Sequence, residues 1–97
     1  MLERLAGLEE EYQHVADRMN DPAVLSDQRA LRETGRRLKE LEPIVAAFRE
    51  YRAALDDLGA AKELGMKDEA AESEATIARL EDELRVLLLP RDPNDDK

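Results

Sequence analysis

Cysteine is missing from this chain, which removes disulfides and thiolate zinc sites as sources of stability. Histidine occurs once, at His14, so the usual metal and acid–base constellations have no second imidazole to draw on. Aromatic side chains are limited to Tyr12, Phe48 and Tyr51. No uninterrupted apolar run reaches the roughly 18 residues that mark a membrane span. The opening Met1-Leu2-Glu3-Arg4 lacks the apolar core of a signal peptide, and a soluble, cytoplasmic protein is expected. Acidic residues outnumber basic ones, 24 to 15. The net charge of −9 argues against a surface that binds nucleic acid throughout, because phosphates attract the opposite sign.

Alanine, leucine, glutamate and arginine dominate instead, and charged residues reach 40%, a composition typical of long helices and coiled coils. With 97 residues the chain makes one small domain, able to bury about 60–65% of its extended-chain surface. The stretch from Asp27 to Leu64 organises the rest. Apolar or small residues recur at Leu31, Thr34, Leu38, Leu41, Ile44, Phe48, Tyr51, Leu55 and Leu58, in steps of three and four that belong to one helix face. A helix over the whole stretch is a rod of roughly 57 Å. The flanking segments are about half as long and hide their apolar faces only by folding back along it.

The spacing predicts three helices, at about residues 2–19, 27–64 and 68–89, in an all-α domain over 1–89. Leu2, Leu5, Leu8, Tyr12, Val15 and Met19 stripe the first. Asn20-Asp21-Pro22 ends it, since proline disfavours a helical residue before it, and Pro22–Leu25 fits one short turn capped by Asp21. Ser26 is the expected N-cap of the long helix. Val15 with Leu31, Tyr12 with Thr34, Leu8 with Leu38, Leu5 with Leu41 and Leu2 with Ile44 keep one antiparallel register. Gly35 then reads as room for Tyr12. Gly65 is expected as a left-handed cap, after which Ile77 pairs with Leu58, Leu80 with Leu55, Leu84 with Tyr51 and Leu87 with Phe48. Pro43 lies between the two halves, where the apolar stripe also changes phase. A kinked central helix carrying two antiparallel, coiled-coil-like hairpins follows, with its densest core near residues 41–48. Two prolines and several Asp/Asn residues in Pro90–Lys97 read as the start of a linker.

Several side chains invite functional readings. His14 stands on a helix beside Val15 without Cys or His partners and reads as a surface residue. Glu9-Glu10-Glu11 and Glu81-Asp82-Glu83 point in different directions around a helix and read as solvated charge. The three aromatics lie on packing stripes and read as core. Arg29, Arg32, Arg36, Arg37 and Lys39 stand apart, opposed nearby only by Asp27 and Glu33. They read either as a solvated face with local ion pairs or as a contact with RNA or an acidic protein.

Four stretches carry a resemblance: Asp21-Pro22-Ala23-Val24, Leu41-Glu42-Pro43-Ile44-Val45, Arg49-Glu50-Tyr51 and Leu88-Leu89-Pro90-Arg91-Asp92-Pro93-Asn94-Asp95. In order and spacing the whole chain resembles the N-terminal helical domain of bacterial class I peptide chain release factors, and release factor 1 more than release factor 2 because of the last stretch. The resemblance implies translation termination at stop codons on the ribosome, with a contact to the stalk-base protein L11 in the GTPase-associated region. With no Cys and a single His, neither cofactor nor metal is expected. The family's catalytic Gly-Gly-Gln and the Pro-x-Thr codon reader are both absent from this sequence. No catalytic residue is therefore assigned, and a positioning module that is not itself an enzyme is expected. Arg29, Arg32, Arg36, Arg37 and Lys39 become candidates for a ribosome contact, including ribosomal RNA. Two rivals stand beside this reading. One is an RNA-binding helical arm like that of seryl-tRNA synthetase, and the other a structural coiled coil that self-associates.

Overall fold

The computed structural model describes residues 2–89, so the expected linker over 90–97 lies outside the described residues. Those residues are all-α and contain no strand. They form four helices where three were expected: α1 (Leu2–Arg18), α2 (Pro22–Leu25), α3 (Gln28–Glu63) and α4 (Lys67–Leu87). The additional one is the single turn at Pro22–Leu25. The Asp21 side chain accepts from the Ala23 backbone N–H at 3.0 Å. Pro22 occupies the first helical position, where its missing N–H costs nothing. The chain divides into two compact units, Met1–Phe48 and Arg49–Lys97. The boundary falls inside α3.

In the first unit the start of α3 corrects the expected cap. Asp27, not Ser26, caps it, its carboxylate accepting from the N–H groups of Arg29 at 3.0 Å and Ala30 at 3.3 Å. The Ser26 hydroxyl turns back to the Ala23 carbonyl and closes α2. A carboxylate at the N-cap also suits the positive end of the helix dipole. Leu5 and Leu41, opposite each other in the expected register, are shut off from water at 1% and 0% exposure. Val15, Val24, Thr34, Val45, Ala47 and Phe48 are buried with them. Gly35 departs from expectation, since a Cβ built there meets nothing within 4 Å. The register places Tyr12 near Gly35 without bringing it close enough to need the missing methyl. Helix α3 runs on through Pro43. Pro43 and Lys39 are both exposed, so the hydrogen bond that proline cannot donate to the Lys39 carbonyl is lost on the solvent side of the helix.

In the second unit α3 ends as its sequence requires. Gly65 takes φ +70, the Met66 N–H donates to the Ala61 carbonyl and the Gly65 N–H to the Lys62 carbonyl. These two bonds make a Schellman cap, in which the left-handed residue is almost always glycine. The buried stripe is Tyr51, Ala54 and Ala61 facing Leu80 and Leu84 in α4. The register had assigned a core place to Leu55, which is 36% exposed. The step from Tyr51 is three residues, to Ala54, so a small side chain takes the inner position and the larger leucine the edge. Polar bonds join α3 to α4. The Tyr51 hydroxyl donates to Glu81 Oε2 at 3.1 Å, and Arg79 donates to Glu50 at 3.4 Å.

Candidate ribosome-contacting face

The five candidate cations all project from the first third of α3, which Asp27 starts and Leu41 anchors in the core. The structure sorts them by what each one touches. Arg37 is half-buried and turned toward α1, where its Nε and Nη2 donate to the two carboxylate oxygens of Glu11 at 2.6 and 2.8 Å. Its Nη1 also reaches Glu40 at 3.2 Å. This two-pronged geometry is the strong form of an arginine–carboxylate contact. Its hydrogen bonds to Arg37 hold the Glu11 carboxyl below the usual glutamate value, against a smaller opposing effect of burial. The Glu11 hydrogen bond likewise raises Arg37 above the usual arginine value. Arg37 is thus a tie between helices.

Arg29 bonds Glu33 one turn along the same helix at 3.3 Å, an exposed pair of small consequence. Arg32, Arg36 and Lys39 are exposed, and among the described residues they form no ion pair. Their spacing of four and then three residues puts them on one face of α3. At 100° per residue that face lies about opposite Thr34, Leu41 and Val45, which are buried. Five candidates thus resolve into three free cations in a row, one locally paired and one structural.

The other singled-out residues take plainer places. His14 is exposed and lines an open groove of about 330 Å³ with Glu11, Val15, Arg18, Thr34 and Arg37. The acidic runs are divided around their helices: Glu11 meets Arg37, Glu81 accepts from Tyr51, Asp82 pairs with Arg85 and Glu83 with Arg79. Among the described residues no cluster of three or more His, Cys, Asp or Glu side chains could hold a metal ion. No helix among them is long and apolar enough to cross a membrane. Phe48 and Tyr51 are buried and Tyr12 half-buried. Burial, with the Glu81 hydrogen bond second, pushes the Tyr51 hydroxyl above its usual value.

Sequence reasoning missed the Glu11–Arg37 tie. The signal was available, because the register sets Gly35 opposite Glu11 and Arg37 lies only two positions on, within reach of so long a side chain.

Comparison with known proteins gives this geometry a context. The PCRF domain family model matches residues 8–97. Peptide chain release factor 1 of Clostridioides difficile (strain 630) is 38% identical over the whole of this chain, which covers 30% of that protein. The same protein of Oceanobacillus iheyensis is 38% identical, and that of Alkaliphilus metalliredigens 36%, each with the same coverage. The chain thus spans about 30% of the length of the curated relatives it matches. No solved structure is significantly similar to it. With its matched region running over nearly all of the helices described above, the chain belongs to the PCRF domain family.

Proposed function

We propose that this chain is the ribosome-contacting, positioning module of a peptide chain release factor that directs translation termination at stop codons. The observation that carries the reading is the family match over residues 8–97, joined by relatives named Peptide chain release factor 1 along the whole chain. In this reading the module works in the cytoplasm, where it meets the stalk-base protein L11 and the GTPase-associated region. It is not itself an enzyme, since the sequence holds no Gly-Gly dipeptide and hence no Gly-Gly-Gln. Its architecture is two antiparallel coiled-coil-like hairpins sharing a central helix kinked at Pro43. The cross-helix bonds Glu11–Arg37 and Tyr51–Glu81 support that pairing.

The test is competition. Purified chain is added in excess to ribosomes stalled at a stop codon, and peptide release by a full-length release factor 1 is timed. The chain alone releases nothing, co-sediments with the ribosomes at low salt and slows the full-length factor. Absence from the ribosome pellet, or peptide release by the chain alone, overturns the reading. Light scattering on the same preparation tests the self-associating coiled coil, which requires a mass that rises with concentration.

A further inference from the structure

We infer that the face of α3 bearing Arg32, Arg36 and Lys39 docks on the phosphate backbone of RNA, while Arg29 and Arg37 take no part. The inference rests on the ribosome reading above and deepens it by assigning the contact to three residues and one chemistry.

The first support is availability. The three side chains are exposed and unpaired among the described residues, whereas Glu33 engages Arg29 and Glu11 with Glu40 engages Arg37. The second is arrangement. At 100° and 1.5 Å per residue the three fall within about 60° of one another over a rise of roughly 10 Å. Within that sector the only other side chain between Arg32 and Pro43 is Pro43 itself. Glu40 and Glu33 lie farther round and already hold Arg37 and Arg29, and Glu42 lies about as far round on the other side. The face is therefore cationic without a carboxylate, in a chain whose net charge is −9. From Asp56 to Glu74, by contrast, Lys62 and Lys67 are the only cations among many carboxylates, and a polyanion is repelled there.

The third support separates RNA from an acidic protein. Protein interfaces concentrate their affinity in buried aromatic or apolar anchors at the centre of the patch. This face has none, and the large exposed apolar residues of the first unit, Leu2 and Leu25, lie outside α3. Arginine and lysine with no apolar centre fit phosphate oxygens, which position a protein without reading sequence. Two guanidinium groups supply paired donors for those oxygens, and the ammonium adds a point charge.

The experiment measures binding of the chain to purified bacterial ribosomes, and to protein-free ribosomal RNA extracted from them, across a potassium chloride titration. Wild type is compared with the triple variant R32Q/R36Q/K39Q and with R29Q. Circular dichroism of the variants should overlay wild type, since the altered side chains are exposed. The triple variant should flatten the plot of log affinity against log salt by about 2 to 3, and R29Q should leave it unchanged. Between about 50 and 200 mM salt, wild type then loses roughly 20- to 40-fold more affinity than the triple variant. An unchanged slope in the triple variant overturns the inference while leaving the ribosome reading intact. So does weakened ribosome binding with unaltered binding to protein-free RNA, which points to an acidic protein instead. If wild type does not bind ribosomes at all, the ribosome reading fails and this inference falls with it.

Discussion

Replacing Gly35 with alanine should stabilise the protein by about 0.5–1 kcal/mol, the amount by which glycine is poorer than alanine inside a helix. The penalty arises in the unfolded chain, where glycine samples more backbone conformations that folding must remove. Alanine recovers it only if the new methyl meets no neighbour and the backbone suits an L-residue. Both conditions hold. A Cβ at Gly35 finds nothing within 4 Å, and among the described glycines only Gly65 has a positive φ. For a domain of this size 1 kcal/mol moves the melting midpoint by about 4–8 °C, so Gly35→Ala should raise it by about 2–8 °C. Thermal and urea unfolding followed by far-UV circular dichroism measure the change, with Gly7→Ala and Gly59→Ala as comparisons at equally open sites. Gly59 belongs to the other compact unit, and its gain should add to that of Gly35. If Gly35→Ala lowers the midpoint while the other two raise theirs, α1 and α3 approach within a methyl's reach there. Gly35 would then be making room for Tyr12 after all.

Other consequences are as direct. Asp27→Ala should cost about 1 kcal/mol in urea unfolding and Ser26→Ala clearly less; equal losses would show that capping is shared. A double-mutant cycle on Glu11→Gln and Arg37→Gln should give a coupling of up to about 1 kcal/mol, the top of the range for partly exposed pairs. Because Arg37 lowers the Glu11 pKa, that stabilisation is complete above the unfolded value near 4.5 and lost as pH falls through the lowered native value. The stability gap between wild type and Glu11→Gln should therefore close in acid, and a gap independent of pH contradicts the assignment. Gly65→Ala should act opposite to Gly35→Ala, costing about 1–2 kcal/mol because its φ of +70 crowds a Cβ; a neutral effect in urea unfolding would mean the cap rearranges without loss.

The features legible in the sequence are those set by local chemistry. Asp21-Pro22 opens α2 and Gly65 closes α3 because a fixed φ, a missing N–H and a missing Cβ act through their own backbone, whatever packs around them. Ser26 and Asp27 were harder to tell apart, since both can cap a helix and only the path of the chain decides which side chain turns inward. A heptad register says which residue faces which but not how closely they approach, so Gly35 was misjudged. The same limit explains Leu55: the register favoured the larger side chain, while the three-residue step from Tyr51 placed Ala54 inside. For the candidate face, charge and spacing singled out the five cations. Separating Arg37 from Arg32, Arg36 and Lys39 required the fold, because Glu11 is distant in sequence and becomes a neighbour only once α1 lies along α3.

The ties between helices also bear on how the protein is made. Glu11–Arg37, Glu50–Arg79 and Tyr51–Glu81 join residues only 26, 29 and 30 positions apart. Loops this short are inexpensive in entropy to close, and chains rich in such contacts fold within microseconds to milliseconds. The first unit ends at Phe48, so every residue of it has been synthesised before Arg49 is added. At about 5–20 residues per second the remainder takes several seconds to make. The nascent first unit thus has time to fold before its successor emerges. Synthesis in that order offers each apolar stripe its own partner in turn.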